Sequence, residues 1–68
     1  MELEQAKKLR TGDIIFYTGK FYTGKRFKVT SVKRWKKYPD RIEIRLKYGL
    51  HQYYRILNSD LVNFSTTE

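Results

Sequence analysis

The chain has 68 residues, no cysteine, a lone histidine and a formal net charge of +8, from 15 Lys and Arg against 7 Asp and Glu. A chain this short holds one small core and no second domain, and disulfides or a Cys/His zinc site are excluded as staples because the residues for them are missing. Burial must then rest on six Tyr, four Phe and Trp35, which points to one domain over residues 1–68.

Residues 1–10 (MELEQAKKLR) are good helix formers, but so few of them make at most one or two turns, or an extended segment, unless they dock on the body. They lack the apolar run of a leader peptide, and no stretch approaches the roughly 18 apolar residues of a membrane span. The expectation is a cytoplasmic protein with no membrane contact.

From residue 11 the texture turns to β-branched and aromatic residues cut by Gly, Pro and Asn, which is strand and turn chemistry. A first strand is expected over residues 13–18, with Ile15 and Tyr17 on one face and Ile14 and Phe16 on the other; two apolar faces leave an edge-to-edge homodimer open beside a monomer. Phe16-Tyr17-Thr18-Gly19-Lys20 is repeated at once as Phe21-Tyr22-Thr23-Gly24-Lys25. A single short duplication does not make a solenoid, so Gly19 to Gly24 reads as a long turn and the repeat as a local duplication.

A second strand is expected over residues 26–33, with Phe27 and Val29 on one face and Val32 out of step, which predicts a bulge near Thr30-Ser31. Pro39-Asp40 marks the turn into a third strand, where Ile42, Ile44, Leu46 and Tyr48 alternate with Arg41, Glu43, Arg45 and Lys47: one face is core and the other charged. Gly49 makes the next turn before a fourth strand over residues 52–57, whose inner set is either Tyr54 and Ile56 or Tyr53 and Leu57. Asn58-Ser59-Asp60 reads as a one-turn connector, residues 61–64 as a last strand and residues 65–68 as a flexible tail. The expected fold is all-β: a small five-stranded SH3-like barrel over residues 11–64, with an N-terminal helical turn and a one-turn helix before the last strand.

Thr11-Gly12-Asp13-Ile14-Ile15-Phe16-Tyr17, followed by Gly19, Gly24, Val29 and Val32, resembles the KOW motif of ribosomal proteins and transcription elongation factors, and Asp60-Leu61-Val62 resembles the end of the same barrel. The motif covers about a third of the chain, and Phe27 stands where the family pattern usually has another glycine. The resemblance implies an SH3-like barrel, a fold that binds DNA, RNA, peptides and proteins.

The charge is the main functional clue, because a phosphate backbone relieves the self-repulsion of so basic a chain. Residues 33–38 combine Lys33, Arg34, Lys36 and Lys37 with Trp35 and Tyr38; the cations would neutralise phosphates and the rings would stack on bases. Arg41, Arg45 and Lys47, with Lys28 beside them, would extend this into one basic surface. The bland reading is a solvated hairpin with its aromatics capping the barrel and Glu43 pairing with a neighbouring Arg or Lys. An acidic protein partner is the other candidate, met through Lys20, Phe21, Tyr22 and Lys25 in the duplicated loop. No cysteine nucleophile, zinc-ligand spacing, phosphate loop or carboxylate pair on a shared face suggests catalysis, a cofactor or a metal. DNA and RNA attract the same cations and are not told apart.

Overall fold

The protein is described by a computed structural model over residues 1–20 and 24–67; the duplicated loop residues Phe21, Tyr22 and Thr23 lie outside it. Five antiparallel strands, β1 (Ile14–Tyr17), β2 (Arg26–Arg34), β3 (Ile42–Tyr48), β4 (Gln52–Leu57) and β5 (Phe64–Ser65), form one sheet in the order β4-β3-β2-β1-β5. The sheet curls into a half-barrel whose inner face holds the core, and its ends, β4 and β5, do not pair with each other.

Alternation decides which side chains go inside. Ile42, Ile44 and Leu46 on β3 are fully buried, as are Ile15 on β1 and Val29 on β2, with Phe27, Ile56 and Phe64 close behind. The core is therefore mainly aliphatic, against the expectation of an aromatic one: among the described aromatic residues only Phe27 and Phe64 are buried, because the strict alternation of β3 places its branched aliphatic side chains at the centre. Each such side chain contributes about 1.5–3 kcal/mol relative to exposure. The anticipated bulge lies between Val29 and Ser31, where the β2–β3 register shifts. That extra residue returns Val32 to the inner face opposite Ile44, and Thr30 Oγ1 fills the irregularity by donating to the Arg45 carbonyl at 3.1 Å.

The Gly-Asp pair that opens the β region works as a turn. Gly12 sits at φ +100°, a conformation costly for a residue with a Cβ, and its N–H donates to the Val29 carbonyl at 2.8 Å. Asp13 Oδ2 accepts from the Arg10 N–H at 2.9 Å, and its own carbonyl accepts from Val29 N–H at 2.8 Å.

Helix α1 (Leu3–Lys7) is too short to persist alone. It is held by burial of Ala6 and Leu9 and by the Met1 amino group, which donates to the Leu61 and Phe64 carbonyls at 2.9 and 2.7 Å. The β4–β5 connection is a 3-10 helix, η1 (Asn58–Asn63), whose first turn is fixed by Leu57 N–H donating to Asp60 Oδ2 at 2.9 Å.

Some expectations need adjustment. The last strand is later and shorter than residues 61–64, because Leu61 to Asn63 continue the 3-10 helix with Leu61 buried. Ser65, expected in the tail, pairs with Phe16 and is hydrogen-bonded to Thr67. β1 lies between β2 and β5 and has no free edge, so an edge-to-edge contact would have to use β4 or β5.

Candidate functional site

The outer face of the sheet follows from the pairing register, since antiparallel partners project to the same side. One row runs Ile14, Lys28, Lys47, Tyr53 across β1 to β4; the next runs Ser31, Arg45, Arg55, and the third Lys33, Glu43, Leu57. Arg26, opposite Phe16, lies at the other end. Among the described strand residues, Arg26, Lys28, Lys33, Arg45, Lys47 and Arg55 thus share a face with one carboxylate, that of Glu43. Its side chain is only 13% exposed and reaches Arg55 Nη1 at 3.5 Å and Arg45 Nε at 4.0 Å.

The β2–β3 connection continues this surface beyond Lys33. Trp35 is half-buried and flanked by its own cations: Lys33 Nζ lies 5.0 Å and Arg41 Cζ 4.5 Å from the ring centroid. Both contacts are attractive through the ring quadrupole. Lys36 and Lys37 are exposed in a bend, and Tyr38 is 59% exposed. Arg41 N–H closes a turn onto the Tyr38 carbonyl at 2.9 Å. Asn58 ties the loop down, accepting from Ile42 N–H at 2.9 Å and donating to the Asp40 carbonyl.

The structure brings together Lys28, Lys33, Arg45 and Lys47 on the sheet with Trp35, Lys36, Lys37, Tyr38 and Arg41 at its β2–β3 end. Arg34 stands apart. It is paired with Ile42, on the inner-face register, and its guanidinium donates from Nε to the Lys7 carbonyl at 3.0 Å and from Nη2 to the Leu9 carbonyl at 3.2 Å. It caps the C-terminal end of α1, which leaves few donors for a ligand.

Of the second candidate set, Lys20 is exposed, Lys25 is half-buried with Nζ 5.1 Å from the Tyr48 ring centroid, and Phe21 and Tyr22 lie outside the described residues. Sequence reasoning missed Arg26, Tyr53 and Arg55. Tyr53 is 66% exposed, with Lys47 Nζ 5.7 Å from its ring. The alternation of β3, transferred through the β3–β4 hairpin register, is the signal that assigns Tyr53 and Arg55 to the charged face.

Among the described residues no helix is long and apolar enough to cross a membrane. Comparison with known proteins finds no matching family model, no matching curated protein and no matching solved structure.

Proposed function

We propose that the protein is a nucleic-acid-binding protein, not an enzyme, that holds the phosphate backbone with little regard to sequence through the outer face of β2 to β4 and the loop at residues 35–41. The observation that carries this reading is the cross-strand pairing of like charges. Lys28 stands opposite Lys47, and Arg45 stands opposite Arg55, where the Glu43 carboxylate lies within 4.0 Å of both guanidiniums. The lysine pair destabilises a sheet in isolation, and a row of phosphates turns that repulsion into attraction. The KOW-like opening of β1 fits the same reading, which places the protein in the cytoplasm.

A salt titration of binding tests it. Neutralising about five phosphates on duplex DNA gives a slope of log affinity against log salt of about −4.5, a loss of several hundred-fold between about 50 and 200 mM. The Arg45→Ala/Lys47→Ala variant should flatten that slope by about 2. Salt-insensitive binding overturns the reading. Retention of one stoichiometric acidic protein after nuclease treatment, with no affinity for DNA or RNA, would assign the surface to that partner instead.

A further inference from the structure

The sheet does not close, and the described residues leave a groove of about 560 Å³ on its inner side between β4 and the β1–β5 end. We infer that this groove takes an unstacked base from a single strand, so that the protein prefers single-stranded nucleic acid to duplex. The inference rests on the nucleic-acid reading above and adds to it a second face and a kind of strand.

The walls are aromatic. Tyr54 projects inward from β4 opposite Leu46 and meets Phe27 edge to face, with centroids 5.7 Å apart and planes at 82°. Phe27 continues to Tyr48 at 5.1 Å and to Phe64 at 5.6 Å, and Phe64 to Tyr17 at 5.2 Å. A chain so short of core has reason to bury every ring it owns, yet Tyr54 keeps 48% of its surface exposed although it lies on the inner register. A flat π-bearing guest would cover that surface, and every base has a π face.

The rim supplies what a nucleotide needs besides stacking. Gln52 and Asn63 bring amides able to meet a base edge, and Lys25 and Arg55 bring positive charge for the flanking phosphates. Asp60 also lines the groove, but its Oδ2 already accepts from the Leu57 N–H. An uncharged peptide would make no use of these cations.

Continuity with the basic face points the same way. β4 is an edge strand only six residues long, with Tyr54 on the inner register and Tyr53 and Arg55 on the outer register. A single strand lying along Lys47 and Arg45 can turn over this edge and deliver a base beside Tyr54. Paired bases in a duplex cannot enter without being unstacked, which costs a few kcal/mol.

The test compares oligothymidine with a DNA duplex of equal phosphate count, titrated against the full chain and two variants by fluorescence anisotropy. Tyr54→Leu keeps an apolar contact for Phe27 but removes the π face. Arg45→Ala/Lys47→Ala weakens the outer surface. Thermal melting checks that both are folded.

Wild type should bind the single strand more tightly. Tyr54→Leu should weaken single-strand binding about tenfold with duplex affinity unchanged, whereas the double variant should weaken both ligands. Equal affinity for both ligands in wild type, with no effect of Tyr54→Leu, overturns the groove assignment and leaves the nucleic-acid reading standing. Binding of neither ligand by wild type overturns that reading and the groove assignment with it. Self-association abolished by Tyr54→Leu, without a change in single-strand affinity, would assign the groove to a second copy of the chain and also overturn the proposal.

Discussion

Glu43 on β3 sits beneath Arg55 on β4, its carboxylate 3.5 Å from Nη1 and largely shielded by the side chains around it. Its carboxylate is shared by Arg45 and Arg55 on the outer face, and it has opposite effects on folding and on the proposed binding. Glu43→Gln should lower stability by about 1 kcal/mol, since the partner guanidiniums are mostly solvated and each exposed pair contributes little. The same change should tighten binding to a DNA duplex at low salt and steepen its salt dependence. Chemical denaturation and a salt titration on one preparation read both effects, and weaker binding would contradict this account of the face.

Arg34 should behave differently from its neighbours in sequence. Its fork holds the carbonyls of Lys7 and Leu9, so Arg34→Ala should cost about 1.5–3 kcal/mol, the range for hydrogen bonds to a charged group. Arg34→Lys should recover little, because an ammonium cannot bridge two carbonyls as a planar fork does. Lys36→Ala, by contrast, should leave the melting temperature unchanged and weaken binding to DNA. The comparison separates a structural cation from a ligand-facing one within a single basic stretch.

Tyr38 and Trp35 should also diverge. Tyr38 is 59% exposed, so Tyr38→Ala should shift stability by less than about 0.5 kcal/mol while reducing affinity for oligothymidine. Trp35→Ala removes the ring between Lys33 and Arg41 and should destabilise the loop as well, visible as faster amide exchange at Arg41, whose N–H closes the turn.

Gly19 is constrained by a side chain rather than by its dihedral angles. A Cβ built there would overlap Cε1, Cζ and Oη of Tyr17, whose ring is held against Phe64. Gly19→Ala should therefore cost about 1–3 kcal/mol, as overpacking does. The loss should shrink in a Tyr17→Ala background, and additive losses in the double-mutant cycle would show that the two positions are independent.

The strict alternation of Ile42, Ile44, Leu46 and Tyr48 makes β3 legible directly, and the phase slip at Val32 reveals the bulge, because only an inserted residue returns that side chain to the core. The phase of β4 was not legible. Tyr53, Tyr54, Ile56 and Leu57 offer two apolar faces, and only pairing with β3 shows that Tyr54 and Ile56 turn inward. Arg34 looked like its neighbours because its partners are backbone carbonyls of residues far back in the chain, which carry no side-chain signature. The groove was hidden for a related reason. Tyr17, Tyr48 and Phe64 read as ordinary core, and nothing local announces that β4 and β5 stay apart.

The pairing of Tyr17 with Phe64 has a consequence for how fast the protein assembles. β2, β3 and β4 are joined in succession by their own connections, whereas β5 reaches β1 only after β2, β3, β4 and the 3-10 helix have been traversed. Closing that long loop costs entropy before any contact compensates for it, so the three-stranded meander should form before the rate-limiting barrier and β5 should dock after it. Phe64→Leu should then speed unfolding and leave the folding rate unchanged, while Ile44→Val should slow folding. A chevron analysis of the two variants distinguishes this order from its reverse, in which the terminal strand would be the nucleus.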